Sequence, residues 1–449
     1  MLPSLNINPP ITDHSFVRRS KNFETISNRT PAIIDLLIWL MICSYLYIDT
    51  ISGLLMTGSG GQAPLSQMWK AAIVFLLIIS LSTTSLINSS IIIFIILLLS
   101  VGPIYRIIVY QYEENFIWEF ATLIKVLLPL FVVIWCIEQS KRNNQFLLKW
   151  SKRALWSFVF IFLFNIAIGA FGFGFTSYGS RESGGLGNIG YFYAGNEVGA
   201  LFAVLSSFIL IKSWEKGAFS YSIAIVFLFA MSVSIATKSA ILSLVIFSIL
   251  FSFFAKKEKY FCYSWKFLSL IIFSLILLSV AIYKYEYAFS SDILRKISYI
   301  YSNQGVSGII FSGRDGFAIK AFEKVWETND IVKIIFGIGT AYFSRIGVKE
   351  SIESDPIDVY LWYGIPGLLY FFFIILIFTL ISIKFSKHKS DVVYGVALVN
   401  IVIFSLSFFS GHVLVGGLAG IAWATLNGLA LAQGKALGGD CRRNVIAES

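Results

Sequence analysis

Charged residues are scarce in this chain, and this scarcity restricts the class of protein more than any single motif does. Asp, Glu, Lys and Arg make up 13% of the 449 residues, whereas 57% are hydrophobic and the mean hydropathy is +0.78. A soluble chain of this length would form about three domains, with roughly a quarter of its residues charged. The composition excludes an ordinary soluble protein and predicts an all-α, polytopic membrane protein.

Cysteine and histidine are also rare, so few side chains could bind a metal or form disulfide bonds. The four cysteines, Cys43, Cys136, Cys262 and Cys441, are scattered without metal-like or disulfide-like spacing. Of the three histidines, only His412 falls outside the segments that we place in the cytoplasm below. We therefore expect no metal and no cofactor.

Neither end of the sequence has the pattern of a cleavable signal or of an added soluble domain. Residues 1–31 and 433–449 are polar, and the first of these segments lacks an apolar core. No repeat of fixed period and no Pro-rich or Ser-rich linker interrupts the rest. We predict one membrane domain, 32–432, between two cytoplasmic tails.

Apolar runs of about twenty residues, long enough to cross ~30 Å of hydrocarbon, recur along this domain. They predict about twelve transmembrane helices, near 32–48, 69–88, 90–110, 119–137, 154–173, 193–211, 219–236, 239–255, 266–283, 360–383, 392–409 and 413–432. The boundary between the seventh and eighth helices is the weakest, because only residues 236–239 interrupt the apolar sequence there.

Lys and Arg are concentrated in alternate connectors, and this bias predicts the orientation. The basic connectors are 138–153, 212–216, 256–266 and 384–389. Since basic residues gather on the cytoplasmic side, both termini are predicted to be cytoplasmic and the long polar loop 284–359 to lie outside. The nine Lys and Arg residues of that loop do not conflict, because loops beyond about 60 residues escape the rule. The net charge of +10 then reflects topology, and we expect no nucleic-acid partner.

The external loop contains one predicted amphipathic helix. Apolar residues recur at helical spacing from Ala318 to Trp326, with charged residues on the opposite face. Ser312 stands three residues before Asp315, which fits a capping box and places Arg314 in the first turn. Such a helix could lie along the outer membrane surface or cover a cavity.

A glycine-rich segment at 178–199 is the first candidate binding element. Its glycines and asparagines, including Asn196, surround Arg181, so backbone amides and a guanidinium group could approach an anion closely. A flexible loop leading into a transmembrane helix explains the same glycines, and no phosphate-loop pattern is present.

Two single cations are further candidates. Lys238 stands alone between two apolar runs, where it could bind an anion or simply extend from a helix end into water. Arg314 has the planar, permanently charged fork that suits a diphosphate group. A solvated arginine at a helix start is the structural alternative for Arg314.

Three carboxylates precede the tenth predicted helix. Glu353, Asp355 and Asp358 could supply a general base or, less favourably, bind a metal. Alternatively, they complement the dipole of the helix that follows. Lesser candidates at the same predicted side of the membrane, or within a predicted helix, are Arg106, Lys125, Arg345 and His412.

Taken in order, these segments resemble the O-antigen polymerase and O-antigen ligase superfamily of bacterial membrane enzymes. The resemblance extends from about residue 90 to 432. It rests on Arg181, Gly190, Tyr-Ala-Gly-Asn-Glu at 193–197, Thr-Lys-Ser at 237–239, Ser-Gly-Arg at 312–314, Phe-Gly-Ile-Gly at 336–339, Glu-Ser-Asp at 353–355 and Tyr-Gly-Ile-Pro-Gly at 363–367.

Two departures from the superfamily pattern affect the interpretation. Ligases typically have a histidine in the large external loop, and residues 284–359 contain none. A carboxylate stands near that position, which looks more like a polymerase, as does His412. The second departure is Lys238, where many relatives have arginine.

The resemblance implies a membrane-embedded C-type glycosyltransferase of about twelve helices around a cavity open to the outer face of the bacterial cytoplasmic membrane. Its donor and acceptor would be polyprenyl-diphosphate-linked oligosaccharides, joined into an O-antigen, capsule or exopolysaccharide, and membrane lipid and a chain-length regulator are further candidate partners. In this scheme Arg181, Arg314 and Lys238 hold the diphosphate, and Glu353 or Asp355 is the base. Asn196, Arg345 and His412 complete the expected substrate-binding residues. A ligase and a lipid-linked oligosaccharide flippase remain the alternatives.

Overall fold

A computed structural model describes most of the chain. The described residues are 14–59, 64–110, 116–179, 185–255, 302, 305, 314–327, 330–340, 352–386, 390–409 and 411–447. The predicted ninth transmembrane helix, 266–283, and the predicted site residues Arg181 and Arg345 lie outside these ranges.

Helices account for nearly all of the described structure, as the hydropathy predicts. They are α1 (His14–Ser59), α2 (Leu65–Thr84), α3 (Leu86–Tyr110), α4 (Phe116–Arg142), α5 (Asn144–Ala170), α6 (Gly195–Lys216), α7 (Ala218–Ile235), α8 (Lys238–Phe254), α9 (Arg314–Glu327), α10 (Ile331–Phe336), α11 (Asp355–Ser386), α12 (Asp391–Phe409) and α13 (Ala419–Ala447). Between α5 and α6 lie two short strands, β1 (Phe175–Tyr178) and β2 (Leu186–Gly190).

Within the described ranges, nine helices are long and apolar enough to cross a membrane. They are Ile33–Thr57 of α1, with α2 to α7, α11 and α12. The polytopic, predominantly α-helical class is therefore confirmed, whereas the count of twelve is not. At the predicted eighth position, the apolar part of α8, Lys238–Phe253, is shorter than these nine helices.

The helix bundle has a buried centre and an apolar outer surface. Helix α4 is the most buried of the nine and packs between α2 and α13. Large apolar side chains such as Phe75, Phe94, Phe160 and Leu369 are instead exposed on outer helix faces. A surface of this kind suits contact with lipid chains, which solvate apolar groups as water cannot.

The first helix is longer than predicted. The sequence places a connector at 49–68, but α1 continues to Ser59. The reason is that Asp49, the first charged residue after the predicted helix, is buried and forms an ion pair of 2.9 Å with Lys70 of α2. A charge that ends an apolar run in the sequence is thus compensated by a partner on the neighbouring helix.

The β1–β2 hairpin was not predicted from the sequence. Its strands pair antiparallel, with Thr176 opposite Asn188 and Tyr178 opposite Leu186. It packs on the connection between α7 and α8, where the Ser177 hydroxyl donates to the Ile235 carbonyl at 2.6 Å. We call the end of the bundle that carries this pair of strands the hairpin end.

The predicted twelfth helix begins later than expected. Residues 411–418, between α12 and α13, are irregular, and α13 begins at Ala419 rather than at 413. Nearly all of this connecting segment is buried. Buried irregular backbone within a membrane protein needs hydrogen-bond partners from the protein itself.

Candidate functional site

An ion pair at the hairpin end joins the two loop residues that the sequence analysis emphasised. The Arg314 Nη2 group, at the start of α9, donates to Glu353 Oε2 at 2.7 Å. The side chains are 15% and 18% exposed, so both remain accessible to a ligand. Arg314 Nη1 also donates to the Phe409 carbonyl oxygen at the end of α12.

Asn196 brings a third element to the same carboxylate. It is the second residue of α6, and its Nδ2 group donates to Glu353 Oε2 at 3.2 Å. Three predicted residues from distant parts of the sequence therefore meet at one oxygen atom. We call Asn196, Arg314 and Glu353 the Glu353 site.

The Glu353 backbone has an unusual conformation that its neighbours fix. Its φ angle is +64°, a value that non-glycine residues seldom adopt. The Asp358 carboxylate accepts from the backbone N–H groups of Ile352 at 2.7 Å and Glu353 at 3.1 Å. On the other side, a Cβ atom added to Gly411 would come within 2.2 Å of the Glu353 carbonyl group. Strained backbone of this kind persists only where surrounding contacts hold it, and it is frequent at functional sites.

Asp355 has different surroundings from Glu353. It is fully buried, and its Oδ2 atom accepts from the backbone N–H groups of Val413 at 3.1 Å and Leu414 at 2.8 Å. Glu197 of α6 serves the same segment by accepting from the Leu418 N–H group at 3.2 Å. Segment 411–418 is not helical, so its N–H groups lack helical partners. The two carboxylates accept hydrogen bonds from three of these N–H groups.

His412 lies between the contacts of Glu353 and Asp355. Its φ angle is +56°, and its side chain is partly exposed. Within the described residues the imidazole ring makes no hydrogen bond or ion pair. His412 thus lies at the same end of the bundle as Glu353, and its predicted part in substrate binding stays a prediction.

Lys238 lies at the same end, next to the start of α6. It is the exposed first residue of α8, and the preceding Thr237 side chain accepts from the Ala240 N–H group at 3.4 Å. The Thr-Lys-Ser turn packs closely on α6, because a Cβ atom on Gly199 would come within 2.1 Å of Ser239 Oγ.

Tyr178 is a neighbour of the Glu353 site to which the sequence analysis assigned no role. Partial burial raises the pKa of its phenol, while the nearby Arg314 guanidinium group lowers this pKa and the Glu353 carboxylate raises it. The phenol therefore stays protonated at neutral pH and can donate a hydrogen bond. Only its position at the edge of the glycine-rich segment hinted at this placement.

The Phe-Gly-Ile-Gly motif has a scaffolding role in the structure. Arg106 of α3 forms an ion pair of 2.8 Å with Glu119 of α4 and also donates to the Gly337 carbonyl at 2.8 Å. The Ile338 N–H group donates to the Leu361 carbonyl at 2.7 Å, which joins the motif to α11. Arg106, a lesser candidate for chemistry, thus anchors this connection.

A second group of charges lies inside the helix bundle. Lys125 of α4 has the charges of Glu197, Lys70 and Asp49 close enough for electrostatic interaction. From the sequence, Lys125 is only one of several lesser candidates. The structure instead surrounds it with charged residues from α1, α2 and α6.

The three loop carboxylates do not point to one common position. Glu353 faces Arg314, whereas Asp355 and Asp358 each bind pairs of backbone N–H groups. Of the three, Glu353 alone is both partly accessible and next to a cation.

A comparison of the sequence with protein-family models and with curated proteins found no match.

Proposed function

We propose that this protein is a membrane-embedded glycosyltransferase that polymerises polyprenyl-diphosphate-linked oligosaccharide repeat units. The observation that carries the proposal is the accessible Arg314–Glu353 ion pair, with Asn196 bound to the same carboxylate. A carboxylate next to a fixed guanidinium group provides both a proton acceptor and a contact for a diphosphate. The resemblance described above supplies the substrate class.

In the proposed reaction, a hydroxyl group of the acceptor sugar attacks the anomeric carbon of the donor glycan. A glycosidic bond forms while the bond between the anomeric carbon and the phosphate oxygen breaks. The polyprenyl diphosphate leaves with the bonding electrons, and the hydroxyl proton passes to the Glu353 carboxylate. Glu353 suits this role better than Asp355, because Asp355 is fully buried, whereas the Glu353 side chain is accessible and lies next to Arg314.

Cations at the hairpin end would stabilise the departing diphosphate. Arg314 is in place beside Glu353, and Lys238 is exposed at the start of α8. Arg181 and Arg345, which lie outside the described residues, are the other expected contacts. Developing negative charge near a membrane interacts with such fixed cations more strongly than it would in bulk water.

The proposed location is the bacterial cytoplasmic membrane, with both termini in the cytoplasm and the hairpin end facing outward. In this orientation the Glu353 site meets lipid-linked units after they have crossed the membrane. The product would be an O-antigen, capsule or exopolysaccharide, and a chain-length regulator is a candidate partner. A ligase would use the same donor and differ in its acceptor.

A flippase for lipid-linked oligosaccharides is the second candidate function. The observation in its favour is the group of charges around Lys125, since transporters commonly place ionisable residues inside the membrane. The two candidates differ in where the substrate accumulates in cells that lack the protein. Lipid-linked units accumulate outside if a polymerase is missing and inside if a flippase is missing.

Purified protein and a defined polyprenyl-diphosphate repeat unit test the proposal. We expect a ladder of products with the wild type, and none with Glu353→Gln or Arg314→Ala. Glu327→Gln is a matched control, because Glu327 forms an exposed ion pair of 2.7 Å with Lys324 on the same helix as Arg314. Normal ladders from the Glu353 and Arg314 variants would refute the assignment.

A further inference from the structure

Lys125 faces the interior of the helix bundle. It lies on α4, the most buried of the nine candidate transmembrane helices, and its neighbours Ile124 and Val126 are buried. Lys125 itself is partly exposed, and a Cβ atom on Gly417 would lie 3.6 Å from its Cδ atom. The Lys125 side chain therefore lies beside the irregular segment 411–418.

The Lys125 ammonium group points toward the hairpin end. Its Nζ atom is 6.0 Å from the ring centre of Trp118, which lies seven residues earlier on α4. Seven residues are about two helical turns, so the side chain extends back toward the start of the helix. The ammonium group lies close enough to the charges of Glu197 and Lys70 to interact with them electrostatically.

The neighbouring charges already have hydrogen-bond partners, whereas Lys125 has neither a hydrogen-bond nor an ion-pair partner among the described residues. Lys70 donates to both oxygens of Asp49, at 2.9 and 3.0 Å, and to Ser66 at 2.9 Å. Glu197 accepts from the Leu418 N–H group. Within the described ranges, Lys125 Nζ makes neither a hydrogen bond nor an ion pair, although an ammonium group has three donors.

An ammonium group without a hydrogen-bond partner is costly inside a helix bundle. Removing a cation from water is repaid only by a close counter-charge or by hydrogen bonds. Such residues inside membrane helices are rare, and they commonly mark a ligand or ion pathway. The unused ammonium donors of Lys125, beside Gly417, can bind an acceptor group that is not part of the chain.

We propose that Lys125 binds an anionic phosphate group inside the bundle, next to segment 411–418. Phosphate oxygens supply several acceptors in a small volume, which matches three vacant ammonium donors. The phosphate can belong to a lipid or be free in solution. The site does not depend on the proposed reaction, but in that reaction the ligand would be the diphosphate of the lipid carrier.

Binding is measured with purified protein in detergent. Farnesyl diphosphate, inorganic diphosphate and farnesol are titrated while tryptophan fluorescence and the thermal unfolding midpoint are recorded. We expect farnesyl diphosphate to bind the wild type, and Lys125→Met and Lys125→Gln to weaken this binding by about tenfold or more. Lys125→Arg keeps the charge and should retain most of the binding.

Two control variants separate binding from stability. Lys324→Met removes an exposed lysine and should bind farnesyl diphosphate like the wild type. Lys70→Met should lower the unfolding temperature because it leaves Asp49 buried without its cation, whereas Lys125→Met should not. Trp118→Phe should remove the fluorescence change if the ligand binds at Lys125.

The outcomes are distinct from those of the polymerisation assay. Equal affinity of farnesyl diphosphate for the wild type, Lys125→Met and Lys125→Gln would overturn the site, and so would equal binding of farnesol and farnesyl diphosphate. Comparable binding of inorganic diphosphate identifies free phosphate as a source, and binding of farnesyl diphosphate alone identifies a lipid. Lys125-dependent binding without any product ladder would refute the proposed function and leave this site intact.

Discussion

Glu353 combines a strained backbone with a side chain that Asn196 of α6 and Arg314 of α9 position. Asp358 binds the N–H group of Glu353 itself, so it holds the left-handed backbone from which the carboxylate side chain extends. A carboxylate that must accept a proton in one geometry benefits from such fixation, since misplacement by about 1 Å can cost ~10²-fold in rate. We interpret Asp358 as a positioning residue.

Asp358→Asn tests this interpretation. An amide keeps one acceptor oxygen but turns a donor toward a backbone N–H group, so one of the two bonds is lost. We expect kcat to fall by about tenfold to a hundredfold with little change in KM. Asp330→Asn is the control, because Asp330 also binds two backbone N–H groups but at the start of α10. Equal effects of the two substitutions on kcat would contradict the positioning role.

Gly411, in segment 411–418, packs directly against the Glu353 carbonyl group. Gly411→Ala should reduce both activity and the unfolding temperature, because the new Cβ atom would overlap the Glu353 carbonyl group and the φ angle of +59° disfavours alanine. Gly217→Ala is the control for backbone strain alone, since Gly217 has a φ angle of +118° and open space around its Cβ position. The loss of activity should be confined to Gly411→Ala. Full activity of that variant would show that the contact is unimportant.

At the scale of the elements, segment 411–418 depends on carboxylates far away in the sequence. Asp355 and Glu197 bind its N–H groups, and the Tyr45 hydroxyl donates to the Leu418 carbonyl at 2.7 Å. Hydropathy alone predicts that α13 extends back to 413, because the residues are apolar. Local sequence does not reveal which distant carboxylate satisfies which amide.

Asp355→Ala should therefore destabilise the protein more than an ordinary helix-cap substitution. Two buried N–H groups would lose their side-chain acceptor, at a cost of about 3 kcal/mol or more. Asp330→Ala removes a similar pair of bonds at a partly exposed position and should cost about 1 kcal/mol. Thermal unfolding in detergent measures both changes. A smaller effect at Asp355 than at Asp330 would contradict the structural role.

The sequence predicts some elements of the site well and others poorly. The helix that begins at Arg314 follows from apolar spacing, which is local, whereas the predicted cap Ser312 lies outside the described residues. The β hairpin at 175–190 is missed, because its strands are short and their pairing depends on packing against the turn after α7. The meeting of Asn196, Arg314 and Glu353 involves residues up to 157 positions apart, so only tertiary structure reveals it.

At the scale of the whole molecule, charges are divided between the two ends of the bundle. Away from the hairpin end, Asp35 pairs with Arg142 at 3.0 Å and accepts from Ser80 at 2.8 Å. Both ends therefore contain buried polar contacts, and the orientation depends on the connectors. The excess of Lys and Arg in alternate connectors predicts that the hairpin end faces outward.

Cysteine labelling tests this orientation. In a background without the four native cysteines, Lys238→Cys should react in intact cells with a membrane-impermeant maleimide, whereas Lys141→Cys should react only after lysis. Both positions are exposed, and they lie at opposite ends of the bundle. The reverse pattern would place the Glu353 site in the cytoplasm and exclude the proposed reaction at the outer face.

The most direct test of the glycosyltransferase function is the number of polyprenyl diphosphate molecules released for each glycosidic bond formed by the purified protein. For the wild type acting on a defined lipid-linked repeat unit, we predict one molecule released per bond. For Glu353→Gln we predict neither release nor bond formation, and for Glu327→Gln wild-type values. Bond formation by Glu353→Gln at the wild-type rate, or the absence of release by the wild type, would contradict the account.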